Sequence, residues 1–281
     1  MGLPGDSHVH SEWSWDAPLG SMERSCAEAV KLGLPAIAFT EHVDHTVFTV
    51  PADGPFASDH LTSLAGVDGT LAPPEFDPAG YLAAIEWCRD RFPDLRILTG
   101  LEVGEPHWHA EACAKVLGAG RFDRVLGSLH CLPDGAGFAE PWGLYPHRDA
   151  AEVVREYLSE VARLVVDSDV FSVLAHIDYP VRFWPERQAG PFDPSAFEDE
   201  FRHALRATTL TGKALEVNTR IPLHSAVVTW WREEGGDAVT FGSDAHLPSA
   251  VAQGFRDAAA MAEAHGFRPG ANPTDLWTRT D

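Results

Sequence analysis

The sequence predicts an α/β barrel in which seven strands alternate with helices and a metal site sits at the C-terminal ends of the strands. Near the N-terminus, His8 and His10 stand one residue apart, and in an extended segment both imidazoles project to the same face. Five later apolar runs also finish on a His, Asp or Glu, at His42, Glu102, His130, His176 and the Asp244–Ala245–His246 segment. Helical patterns fill the intervals, so successive strands are expected to run parallel through right-handed crossovers. Strands that end together on metal-binding residues describe the active face of a barrel.

Each element follows in turn. A polar and aromatic loop, 11–16, leaves the His pair. A helix begins near Ser21, which can cap it, and Gly33 ends it, with Pro35 preventing continuation. The short apolar run to His42 completes a strand, helix, strand unit. Residues 43–75 are rich in Pro, Gly and Asp with no sustained period, which reads as a long loop over one mouth of the barrel, a partial lid with Phe48 and Phe56 to bury. From Asp77 and Pro78 the alternation resumes: a helix to about Phe92, the strand to Glu102, a helix over 110–117 and the strand to His130. The segment 133–146 reads as a loop. A long helix near 149–166 places Val153, Tyr157, Leu158, Val161 and Leu164 on one face and leads to the strand ending at His176. A helix over 194–209, a strand over 214–218, a helix over 226–233, the strand into Asp244 and a helix over 249–265 complete the series. The tail after Pro269 reads as a loose end.

Composition bounds the answer. The chain has 281 residues, 44% of them hydrophobic, enough for one large core. Because the candidate ligands run from His8 to His246, dividing the chain would divide the site, so one domain over 1–270 is expected, with 271–281 as its tail. A formal charge of −21 argues against a nucleic-acid backbone or an anionic membrane as an electrostatic partner, since either would be repelled. Cys26, Cys88, Cys113 and Cys131 are scattered without CxxC spacing, which fits a reduced, cytoplasmic setting. No apolar run approaches the roughly 20 residues that span a bilayer. Nothing in the pattern fixes an oligomeric state.

Imidazole and carboxylate without thiolate suit zinc, iron or manganese in a hydrolytic centre that keeps room for water. Six histidines (His8, His10, His42, His130, His176, His246) and three acids (Asp16, Glu102, Asp244) lie at or just beyond strand ends. Nine ligands exceed the needs of one ion. Two or three divalent ions sharing a bridging carboxylate fit better, and such clusters typically cleave phosphate esters by in-line displacement.

The pieces His8-Val9-His10, Glu41-His42, Gly100-Leu101-Glu102, Gly127-Ser128-Leu129-His130, Ala175-His176-Ile177-Asp178 and Gly242-Ser243-Asp244-Ala245-His246 resemble, in order and over nearly the whole chain, the motifs of the polymerase and histidinol phosphatase (PHP) superfamily. They are most similar to its histidinol-phosphatase branch. The resemblance implies a distorted seven-stranded (β/α)7 barrel and a trinuclear centre. It assigns one metal to His8, His10, Glu102 and Asp244, a second to Asp16, His42 and His246, and a third to Glu102, His130 and His176. It also implies that Arg182 and Arg220 hold the phosphate of a small monoester, with L-histidinol phosphate the leading substrate, in histidine biosynthesis. Asp244 or His246 would supply the leaving group's proton. The alternatives are another small phosphate monoester or a nucleotide phosphodiester on the same cluster, and a non-catalytic metal-binding module. The segment 103–109 and the long loop before Pro78 match no motif of the family.

Singly, each histidine is ordinarily a structural or surface residue; it is their joint placement at strand ends that argues for metal. Asp16 has the bland reading of a turn cap, and the two arginines that of surface ion pairs. The second pair, His107 and His109, sits where a helix begins and is expected to be exposed or to form pocket wall. His45, His60, His147, His203, His224 and His265 read as surface residues, and Cys131 as packing. Trp13, Trp15 and Trp184 are candidates to line a pocket for the leaving group.

Overall fold

A computed structural model describes residues 2–51 and 58–280. Nine strands form one curled sheet, in the spatial order Asp6–Val9, Ala36–Val43, Arg96–Gly104, Arg124–Ser128, Val173–Leu174, Ala214–Asn218, Ala238–Gly242, Trp277–Arg279 and Phe267–Arg268. The first seven pair in parallel and follow chain order; the last two are antiparallel additions at one edge. The α/β class and the alternation agree with the sequence, whereas the sheet itself carries nine strands and is open. Its curl brings the far side back to the start. His10 N–H donates to the Ala245 carbonyl at 2.9 Å, and Asp244 N–H to the His8 carbonyl at 2.8 Å.

Local chemistry explains the helices. Ser21 caps the helix Met22–Leu32 through the Arg24 N–H, and Gly33 closes it at a φ of 71°. Asp77 caps Pro78–Arg91 and Asp149 caps Ala150–Asp167. The latter buries Val153, Tyr157, Leu158, Val161 and Leu164, the face its period foretold. Ala36–Val43 is buried along its whole length, as a strand covered on both faces must be. Gly100 is required by close strand approach: a Cβ there would fall 2.6 Å from Thr40 Cγ2 and 2.9 Å from the Arg124 carbonyl oxygen.

Three expectations need correction. The stretch 43–75 is not bare loop: Phe48–Thr49, the helix Asp59–Leu64 and Thr70–Leu71 lie within it. Phe48 is buried as expected, while Phe56 lies outside the described residues. The segment 133–146 likewise contains most of a hairpin, Leu132–Asp134 with Gly137–Ala139, and the helix Pro141–Leu144. These short strands form a second, four-stranded sheet, and pieces of two or three residues are too short to show a period. Finally, the tail is anchored: Trp277–Arg279 pairs with Ala238 and Val239, and the Trp277 ring packs on Phe241 with centroids 4.8 Å apart.

Asp6 ties the first strand to the last. Its carboxylate accepts N–H groups from His8, Ser243 and Ala252 at 3.3, 3.0 and 2.9 Å. Burial raises its pKa from 3.8 to about 6, an effect larger than the lowering by Ser243 and the backbone donors. With the folded value above the unfolded one, its contribution to stability is complete below about pH 4 and is lost as pH rises through about 6, a change on the order of 3 kcal/mol. In urea titrations of metal-stripped protein, the stability difference between wild type and Asp6→Asn should therefore shift by that amount across this window. A difference that stays flat with pH contradicts the assignment.

Candidate metal centre

The six strand-end histidines, Asp16, Glu102 and Asp244 converge at the C-terminal ends of the parallel strands. His8 and His10, on one face of the first strand, aim their Nε2 atoms at a common point 3.0 Å apart. Glu102 Oε2 lies 3.1 Å from His8 Nε2 and 3.3 Å from His10 Nε2, and Asp244 Oδ1 lies 3.8 and 3.4 Å from the same two atoms. Ligands 2.0–2.2 Å from a tetrahedral zinc stand about 3.4 Å from one another, so this spacing fits a cation at the middle. The other oxygen of Glu102, Oε1, lies 2.7 Å from His176 Nε2 and 3.3 Å from His130 Nε2. Asp16 Oδ2 lies 2.8 Å from His246 Nε2 and 3.4 Å from His42 Nε2. One carboxylate thus faces two groups of imidazoles, and a third group stands beside them.

Outer contacts hold the donors in position. Glu216 Oε1 bonds His8 Nδ1 at 2.6 Å, leaving Nε2 to face inward, and its Oε2 accepts the His176 N–H. Ser14 Oγ bonds His10 Nδ1 at 2.9 Å and is itself held by Glu41 at 2.6 Å. Glu105 Oε1 accepts the His130 and Cys131 N–H groups. Ser128 Oγ donates to Glu102 Oε1 at 2.5 Å. Gly242 is needed beside this network, because a Cβ there would fall 1.9 Å from Glu216 Oε1.

The electrostatics test whether divalent cations suit these residues. Burial pushes the Glu102 carboxyl up, yet His8, His42 and His130 hold it well below the usual carboxylate range. Asp244 is held low against burial by Arg182, Arg220 and His8. Burial opposes a proton on His8, but Glu216, Glu102 and Asp244 outweigh it and raise its pKa well above the ordinary value; Asp16, Asp44 and Glu102 do the same for His42. His10 and His176 are instead drawn down to about 4, chiefly by burial. The dry volume is therefore short of positive charge. Glu102 Oε2 accepts no hydrogen bond among the described residues despite three imidazole nitrogens within 3.3 Å. Cations bound by neutral imidazoles would supply that charge, so the donor set fits divalent metal.

A cavity of about 410 Å³ opens over the cluster. Arg182 and Arg220 line it: Arg182 Nη2 lies 2.5 Å from Asp244 Oδ2, and Arg220 Nη1 lies 3.3 Å from Asp244 Oδ1 and 2.9 Å from His246 Nδ1. Among the candidate tryptophans Trp15 lines the cavity, whereas Trp13 packs in the main core and Trp184 against Phe192 and Phe197. His107 bonds Glu160 at 2.8 Å and His109 meets Thr46 at 2.9 Å; neither joins a ligand cluster among the described residues. His60, read as surface, binds the Trp15 carbonyl at 2.8 Å and anchors the short helix Asp59–Leu64 beside the cavity. Sequence reasoning missed Asp44, which sits 3.2 Å from His42 Nδ1 and 3.3 Å from His130 Nδ1, and it missed Glu216. Both carried a signal. Asp44 continues the period of two beyond His42, and Glu216 is a carboxylate in the middle of the apolar strand Ala214–Asn218.

The fold and the site together define an α/β protein whose strand ends gather histidines and carboxylates that could hold divalent metal. The chain belongs to the PHP domain family, whose profile matches residues 6–220. It is 28% identical to the histidinol-phosphatase of Lactococcus lactis over 86% of this chain and 84% of that protein. It is 30% identical to a probable histidinol-phosphatase of Deinococcus radiodurans, covering 92% of this chain and 91% of the relative. The fold is also that of the crystal structure of histidinol phosphate phosphatase from Lactococcus lactis complexed with Zn, L-histidinol and phosphate, with a TM-score of 0.78 and 23% identity over 98% of this chain and 99% of that one.

Glu216→Gln removes the charge that fixes the His8 tautomer while keeping its shape. Zinc affinity measured by competition with a chromogenic chelator should weaken by roughly 10–100-fold. Unchanged affinity contradicts the orienting role.

Proposed function

We propose that the protein is a metal-dependent phosphatase that hydrolyses L-histidinol phosphate to histidinol and phosphate, a step of histidine biosynthesis, in the cytoplasm. One observation carries the chemistry: four overlapping groups of imidazole and carboxylate donors, with Glu102 between His8 and His176, lie beside a small cavity that two arginines line. The leaving group follows from full-length relatives that bear the histidinol-phosphatase name.

In this reading two or three divalent ions, zinc, iron or manganese, would be held by His8, His10, Glu102 and Asp244; by Asp16, His42 and His246; and by Glu102, His130 and His176. When bound, they lower the pKa of water toward neutrality and offset charge developing at phosphorus. The chain's own residues orient the ester. Arg182 is fixed from two sides, by Asp244 and by the Tyr179 ring 5.0 Å from its Cζ, so its fork is preorganised for phosphate oxygens. Arg220 is steered by Asp244 and His246. The proton for the leaving oxygen is one that the attacking water gives up and that Asp244 or His246, the titratable groups these arginines contact, would pass on. In this reading the seven parallel strands correspond to the distorted (β/α)7 barrel of a single domain, with the isolated Val9–Ala245 bridge spanning the open side of the sheet.

Protein loaded with zinc or manganese should release phosphate from L-histidinol phosphate and lose that activity in EDTA. It should favour this ester over bis(p-nitrophenyl) phosphate, and Arg220→Met should lower kcat/KM by roughly 10²–10³. Preference for the diester, or turnover insensitive to chelation, overturns the proposal.

A further inference from the structure

A second cavity, of about 240 Å³, adjoins the first, and the two share one residue, Asp44. On the metal side the Asp44 carboxylate stands 3.2 Å from His42 Nδ1 and 3.3 Å from His130 Nδ1, and it accepts the Trp15 indole N–H at 2.9 Å. It sits tightly, since a Cβ on Gly104 would fall 2.1 Å from its Oδ1. The rest of the second cavity is walled by Val43 and His45, by the stretch 73–78 and by the helix Ala110–Leu117. Most of that stretch belongs to the long segment that matches no motif of the family, and the phosphatase reading gives it no part.

The walls define what this cavity can hold. Pro73, Pro74, Phe76 and Val116 make it apolar, and the three prolines of 73–78 stiffen one side, so binding there orders little chain. Glu75 and Lys115 line it while remaining exposed, which puts two opposite charges at its mouth, and neither forms an ion pair among the described residues. His45 Nε2 is buried with no hydrogen-bond partner among the described residues. The volume falls below the roughly 300–1,000 Å³ of sites for drug-sized ligands, which sets the ligand at the size of one amino acid. Charge complementarity narrows the class: a polyanion would meet Glu75 and Asp44, whereas a zwitterion offers a carboxylate to Lys115 and an ammonium to Glu75. A flat ring suits the proline and Phe76 wall. We infer that this cavity is an effector site for a free aromatic α-amino acid, coupled to the metal centre through Asp44. A ligand seated on Val43, Asp44 and His45 biases the position of the carboxylate on which His42 and His130 both lean. Amino-acid affinity and metal affinity therefore depend on each other, and by linkage they do so equally.

Isothermal titration calorimetry of the full chain with L-phenylalanine, metal-stripped and zinc-loaded, tests this. Saturable single-site binding is expected, with a Kd that differs between the two forms by roughly fivefold or more. The analogues 3-phenylpropanoate and 2-phenylethylamine, each lacking one of the two charges, should bind roughly tenfold more weakly. Lys115→Glu, which reverses a charge on an exposed side chain, should weaken L-phenylalanine by a similar factor. Absence of binding in both forms of the wild type overturns the inference. Binding that Lys115→Glu leaves unchanged also overturns it, because the amino acid then sits elsewhere, and a Kd that zinc does not move overturns the coupling. Should the variant not fold, the analogues decide: equal affinity for L-phenylalanine and for both of them overturns the inference. Every readout is a heat of binding, so failure of the phosphatase reading would show separately, as absence of phosphate release, and would leave this test standing.

Discussion

Glu102 is the residue around which the rest is arranged. It ends the apolar run of the third parallel strand, is fully buried, and offers Oε2 to His8, His10 and His42 and Oε1 to His130 and His176. A carboxylate in that position is tolerable only with positive charge on both sides. Carboxylates such as Glu216, Asp44 and Asp16 surround the imidazoles in turn, so the demand for cations grows outward instead of being met within the protein. The parallel sheet makes the concentration possible, because it delivers the ends of seven strands to one side and lets six of them add one or two donors.

Keeping so many polar groups in a dry place needs a rigid frame. Asp244 holds a left-handed φ of 51° and Glu105 one of 43°, strained values for residues with side chains, and both stand at the site. Their compensations are visible: Asp244 N–H is bonded to the His8 carbonyl, and the Glu105 carboxylate collects the His130 and Cys131 N–H groups and the Thr46 hydroxyl. The second sheet and the short helix Asp59–Leu64 finish the cavity from the other side, with Leu61 and Trp142 in its wall. The donor end is built on the main sheet and its immediate extensions, while much of the apolar wall comes from intervening segments.

That division explains what could be read from the sequence. Long elements with a sustained period, such as Ala150–Asp167, were legible, as were the nine metal-donor candidates, because a strand that ends on His or Glu breaks an apolar run conspicuously. The strands at 48–49, 70–71 and 137–139 were not, since two or three residues carry no period and their pairing is nonlocal. Trp277 was missed for the same reason. Glu216 and Asp44 were harder to read, because residues that orient other side chains need not end an apolar run, although Asp44 keeps the period of two beyond His42 and Glu216 interrupts an apolar strand.

The central claim is that cations occupy the space between these donors. Anomalous diffraction from crystals of active protein, collected on either side of the absorption edge of the metal it contains, tests this directly. The account predicts separate peaks among His8, His10 and Asp244, beside His130 and His176, and beside Asp16 and His246, with Glu102 between the first two. Fully active protein with no anomalous density within reach of Glu102 would contradict it.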